Sequence, residues 1–112
     1  MEKKIEILGK EVRLRYCAAT ENGFEQLRGK SIYKIDFESQ EDLLALVIAS
    51  MVAAYARTDE ESPITSDDIL YECKPSDIIL LVKAVMELRA EWYQVPKVIE
   101  QEEQTGEDKP KN

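Results

Sequence analysis

The stretch that most constrains the fold is 43–56, LLALVIASMVAAYA, fourteen residues with no charge, no glycine and no proline, interrupted only by the small polar Ser50. At roughly 3.6 residues per turn, Leu43, Leu44, Val47, Ile48, Met51, Val52 and Tyr55 cover one broad arc of a helix. Ala45, Ala49, Ala53 and Ala56 line the opposite side as a ridge of small side chains. A helix that is apolar all round is normally buried on every side. The bulky arc is expected to fill a core, and the alanine ridge to admit another helix at close range. A chain of 112 residues barely surrounds such a helix, so a surface for a second copy or a partner is the competing reading for part of it. A membrane span is the weaker alternative, because fourteen residues fall short of the roughly 20 that crossing requires.

This length fits one domain with little stability to spare. The net charge of −8 argues against nucleic-acid binding, which calls for a basic stripe facing the phosphates. It fits a soluble protein that offers an acidic face to a partner. Cys17 and Cys73 form no CxxC pair and read as two reduced, half-buried thiols, with a disulfide arising only on export. The opening MEKKIEILGK has no long apolar run, so no signal peptide is expected and the cytoplasm is the expected compartment.

There is no histidine. That removes Ser-His and Cys-His nucleophile pairs, histidine proton shuttles and most zinc arrangements. The acidic runs Asp59-Glu60-Glu61 and Asp67-Asp68 lack the spacing and glycine of a calcium loop and read as a solvated loop and a helix start. Every Asp and Glu is expected in a loop, a cap or on a wet face, so no carboxylate pair has the contrasting environments that acid–base chemistry needs. No glycine-rich phosphate loop is present. No catalytic, metal or cofactor-binding residue is therefore assigned, and the chain reads as non-enzymatic.

Along the chain, 3–16 reads as a β-hairpin. Ile5 and Ile7, then Val12, Leu14 and Tyr16, alternate with charged residues, the period-2 pattern of strands with one buried face. Gly9-Lys10 between them suits a type II′ turn. A helix follows over about 18–28, with Thr20 as N-cap or first-turn residue, Phe24 and Leu27 as apolar face and Gly29 as C′ residue. Gly23 inside it has no local reason and costs about 1 kcal/mol relative to alanine. The segment 31–37, SIYKIDF, reads as extended chain or a short third strand.

Ser39 caps the central helix, expected over 40–57, and Asp42 three positions on resembles the far half of a capping box. After the acidic loop 58–63, Thr65 opens a short helix over 66–72. Pro75 starts the last one, 75–94, at a position where its missing N–H is harmless. Ile78, Leu81, Val82, Val85, Leu88 and Trp92 form its apolar stripe. The expected architecture is α+β, mainly α: an N-terminal β-hairpin packed on a small bundle of about four helices, forming a single domain over 1–96. The remainder, 97–112, reads as an acidic flexible tail.

The wide stripe on the last helix supplies the candidate partner or oligomer surface: Leu81, Val85, Leu88, Trp92 and Tyr93. Aromatic residues are enriched among interface hot spots. The competing reading places Trp92 in the core and leaves Tyr93 half-buried.

The order of these pieces resembles a known family. A hairpin with a Gly9-Lys10-Glu11 turn leads into Ala19-Thr20-Glu21 and then Phe24-Glu25-Gln26-Leu27-Arg28-Gly29-Lys30-Ser31. An apolar helix, a Thr-started acidic segment and a last helix ending in Glu91-Trp92 complete the series. Over 3–95, and most densely in the TExxFExLxGKS pattern from Thr20 to Ser31, the chain resembles the tail assembly chaperones of long-tailed bacteriophages and prophages. The resemblance implies a non-enzymatic protein, free of cofactors, that coats the tape-measure protein before the tail tube polymerises around it. It also implies self-association as a homo-oligomer, a longer frameshifted product that recruits tail tube protein, and action in the host cytoplasm with neither nucleic acid nor membrane as partner. The reading from a different class is an acidic inhibitor that mimics phosphate charge toward a DNA-binding protein. It requires carboxylates ranged along one face, whereas here they are scattered among 15 basic residues. A small self-associating adaptor domain is a further alternative.

Overall fold

The computed structural model describes residues 1–94. Strands β1 (Glu2–Ile7) and β2 (Lys10–Arg15) form an antiparallel hairpin, followed by α1 (Ala18–Arg28), a 3-10 turn (Ile32–Lys34), α2 (Gln40–Tyr55), α3 (Ser66–Tyr71) and α4 (Pro75–Trp92). The expected α+β, mainly α architecture is the observed one. The tail assigned to 97–112 lies outside the described residues.

The hairpin keeps its expected inward side chains but turns one residue earlier. Ile7 pairs with Lys10, so Leu8 and Gly9 form the turn, at φ 55° and 74°. Two positive φ values make this a type I′ turn, not the type II′ turn expected at Gly9-Lys10. The alternation is blind to the difference, because moving the register by two residues keeps the same side chains facing inward. Leu8 has no polar side chain to favour left-handed backbone, a conformation that costs an L-residue about 1–2 kcal/mol. Leu8→Asn, which restores the Asn-Gly pair such turns prefer, is expected to raise stability by about 1 kcal/mol. The check is a higher urea midpoint at an unchanged m-value.

Ile7, Val12, Leu14 and Tyr16 are buried on the inner face of the hairpin, against α2 and α4. Lys3 closes one margin with an ion pair to Glu87 on α4, at 2.7 Å. The free edge of β2 is covered from α2: the Arg13 N–H donates to Tyr55 Oη at 3.1 Å, and the Arg13 guanidinium lies 4.6 Å from the Tyr55 ring centre. That guanidinium also reaches Glu60 in the acidic loop, at 2.6 Å. Edge strands left uncovered invite pairing with other chains.

The N-cap of α1 is Cys17, three residues before Thr20. The Thr20 hydroxyl accepts the Cys17 N–H at 3.2 Å and donates to the Arg15 carbonyl at 2.7 Å, stitching the helix to the end of β2. Gly29 ends it in the left-handed conformation, φ 68°, as expected of a C′ glycine. Gly23 has a tertiary reason. A Cβ at this position would lie 3.2 Å from Ala49 Cβ on α2, so the glycine and the alanine ridge set the close approach of the two helices.

The segment 31–37 forms no strand. Ser31 Oγ accepts the Tyr33 N–H at 3.1 Å and Glu25 accepts the Ile32 N–H at 2.9 Å, which winds the chain into a turn under the end of α1. Local side-chain acceptors outcompete a ladder here, and Ile32 alone of this segment is fully buried. α2 then starts at Ser39, whose hydroxyl accepts the Asp42 N–H at 3.2 Å. Of its bulky arc only Val47 and Met51 are fully buried, joined in the main core by Ala45 and Leu46. Leu43, Leu44, Ile48 and Tyr55 are half-buried and Val52 is exposed, while Ala49 and Ala53 are buried toward α1 and Ala56 is exposed. α3 carries a complete capping box between Thr65 and Asp68, and Pro75 stands in the first turn of α4.

Candidate interaction surfaces

The five residues assigned to a partner surface divide. Leu81, Val85 and Leu88 are fully buried, at 0%, 1% and 1% exposure, and belong to the core formed with the hairpin and α2. They are corrected from surface to core. The stripe is what α4 uses to bury itself, because a two-stranded hairpin has too little apolar area to cover α2 alone. Trp92 and Tyr93 lie at the surface, 38% and 41% exposed.

These two aromatics fasten the end of α4 to the start of α1. Trp92 packs against Tyr16, ring centres 6.1 Å apart at 53°. Glu21 accepts hydrogen bonds from the Tyr16 hydroxyl, at 2.8 Å, and from the Tyr93 hydroxyl. Burial and the Glu21 carboxylate push the Tyr93 phenol up to about 12 and the Tyr16 phenol higher still, so both stay donors throughout the neutral range. Arg89 lies between the rings of Phe37 and Tyr93, 5.0 and 4.9 Å from their centres. The result is a structural clasp with an aromatic rim.

Asp42, which looked like a capping residue, instead forms an ionic knot. Its side chain is fully buried and accepts from Arg28 Nε at 2.8 Å, Lys30 Nζ at 2.6 Å and the Asp36 N–H at 2.8 Å. These donors hold its carboxyl down at about 2. Three segments meet there: the end of α1, the loop after it and the start of α2. The spacing from Ser39 is right for a box, but the two cations are separated from Asp42 in sequence and invisible to local periodicity.

Among the described residues, two open grooves are lined mainly by apolar side chains. The first is a groove of about 310 Å³ between α1 and α2, floored by Gly23, Ala49 and Ala53 and flanked by Leu27, Ile48 and Val52. Leu27 and Val52 are 54% and 59% exposed. The second, about 320 Å³, lies where α3 and the start of α4 meet α2, lined by Leu44, Ile69, Leu70, Cys73, Ile78 and Ile79. Ile79 is 65% exposed and the neighbouring Tyr71 79%. Its rim is acidic: Asp77, Asp68 and Glu72 are close enough to Cys73 to raise its thiol above the ordinary value, after burial as the larger cause. Sequence periodicity missed both surfaces, because each is assembled from different elements.

Comparison of the chain with known protein families, characterised proteins and solved structures finds no match. Among the described residues no helix is long and apolar enough to cross a membrane.

Proposed function

We propose that the chain is a non-catalytic assembly chaperone whose client is a long helical protein, in the manner of the phage tail chaperones it resembles, which hold the tape-measure protein. The observation that carries this reading is the open groove formed by α2, α3 and α4. A helix laid into an apolar groove is read through side chains three and four residues apart. Leu70, Tyr71 and Ile79 supply exposed apolar anchors for such a helix, and Asp68, Glu72 and Asp77 supply a negative margin. The fitting client segment is therefore amphipathic, with an apolar stripe flanked by lysine or arginine. Apolar burial gives the affinity, and the rim favours correct orientation and encounter.

The test is capture of the tagged protein from host cells expressing the tail genes, read by mass spectrometry after a high-salt wash. Recovery of a very long, helix-rich tail protein is expected, with Ile79→Glu losing it. Loss of all bound protein in salt, or capture unaffected by Ile79→Glu, would sink the assignment. Recovery of DNA-binding proteins released by salt would transfer support to phosphate mimicry.

A further inference from the structure

We infer that the outer edge of β1 is a docking edge, where an extended acidic segment of another protein adds itself to the hairpin as a third strand. The two edges of the hairpin differ. Residues across an antiparallel pair alternate between those bonded to each other and those whose N–H and C=O point away. The Tyr16 N–H donates to the Met1 carbonyl, so in the same register Lys3, Ile5 and Ile7 face β2. Lys4 is paired with Arg13 and Glu6 with Glu11, and these four turn their backbone outward. On β2 the outward groups are used: the Arg13 N–H donates to Tyr55 Oη, and the Arg15 carbonyl accepts the Thr20 hydroxyl. On β1, among the described residues, no group bonds to the outward N–H or C=O of Lys4 and Glu6. Both residues are exposed. Open ladder groups of this kind are the template on which an extended chain pairs.

The space beside that edge has the lining and the charge of a strand site. A groove of about 280 Å³ runs between β1 and α4, with Ile5 on one side and Leu80 on the other. Leu80 is 50% exposed and Ile5 is half-buried. A third strand lies about 4.8 Å from β1, and its inward side chains cover both. Charge selects the occupant. Three of the four charged residues that line the groove are lysines, Lys3, Lys4 and Lys83, in a chain that carries −8. The one carboxylate, Glu87, is already paired with Lys3 at 2.7 Å. Lys4 reaches only Glu11, at 3.7 Å across the exposed face of the sheet, and Lys83 has no ion pair among the described residues. The fitting segment therefore alternates, with apolar residues turned toward Leu80 and carboxylates between them that meet Lys4. A second copy fits poorly, because a two-fold contact sets this basic margin against itself. The edge shares no lining residue with the groove of α2, α3 and α4, and its assignment does not rest on the chaperone reading.

The test is a titration of the isotope-labelled full chain with a capped synthetic peptide of alternating valine and glutamate, about eight residues long, followed by amide NMR and hydrogen exchange. The Lys4 and Glu6 amide signals are expected to shift saturably, with exchange of both slowed at least about tenfold. The Arg13 amide, already bonded to Tyr55, should keep its exchange rate. Lys4→Glu should weaken binding at least about tenfold, because like charges then face each other. Lys4→Pro removes an outward N–H but no ladder bond, a strand position where proline is tolerated, and should abolish binding by a folded protein. A peptide that alternates valine with lysine should move the Lys4 and Glu6 signals little. Unmoved signals at about 1 mM of the glutamate peptide, an equal response to the lysine peptide, or wild-type affinity in Lys4→Glu overturns the inference. Slow exchange of the two amides in the free protein does so too, since the edge is then already filled by a second copy or by another part of the chain.

Discussion

Phe24→Ala is expected to destabilise the fold by about 3–5 kcal/mol, the usual range for truncating a buried aromatic. Phe24 is the one large apolar residue that α1 buries completely, and it is inserted in the same core as the hairpin, α2 and α4. Removing it costs both the transfer of the ring from water and the void left behind, because α1 cannot settle inward. Gly23 already stands at the limit of approach to Ala49. Against a total stability of about 5–15 kcal/mol for a domain, the loss is a large share. The melting midpoint should fall by roughly 15 °C or more. Asn22→Ala, on the exposed side of the same helix, is the matched control and should stay within about 0.5 kcal/mol. A Phe24→Ala protein that melts like the control would show that α1 is not seated in the core.

Asp42→Asn should be the most damaging single change of a charged residue, and its effect should depend on pH in a defined direction. The substitution leaves Arg28 and Lys30 facing each other across a site that no longer holds a negative charge. Removing one member of a buried ionic cluster costs more than the cluster contributes, since the remaining charges stay desolvated. In the folded chain the Asp42 carboxyl is held down to about 2, against an ordinary value of 3.8. Its stabilisation is therefore complete above the ordinary value and is lost as pH falls through the folded one. Urea denaturation should show wild type well above Asp42→Asn at neutral pH, with the two curves converging as the pH approaches about 2. Parallel curves through the acid range would mean that the knot contributes by shape and not by charge.

Much of the architecture was legible because it is local. Alternation marks Ile5, Ile7, Val12, Leu14 and Tyr16 as one face of a hairpin whatever the turn between them. Caps at Ser39 and Thr65 and the proline at 75 place three helix starts. The absence of charge over 43–56 identifies the helix that the rest surrounds. What escaped depends on who packs against whom. The stripe through Leu81, Val85 and Leu88 is apolar under either a core or a partner assignment, and periodicity does not say what covers it. Gly23 looked like a defect until Ala49 stood opposite. Ile35 and Phe37 alternate well enough for a strand, but no neighbouring strand offers a ladder, and Ser31 and Glu25 capture the backbone first. The open grooves share this origin: Val52 and Ile79 sit in helices whose other sides are buried, and only the assembled molecule shows which sides stay bare.

The clasp between α4 and α1 also fixes where the described residues end. Tyr93 is held at Glu21, and Glu21 is two residues beyond Ala19, about 200° around α1. The described chain thus ends on the side of α1 turned away from the groove that Ala19 helps to line. A fluorophore, an affinity handle or a whole additional domain joined after Gln94 starts its path from the back of that helix, leaving the α1–α2 face clear for whatever meets it.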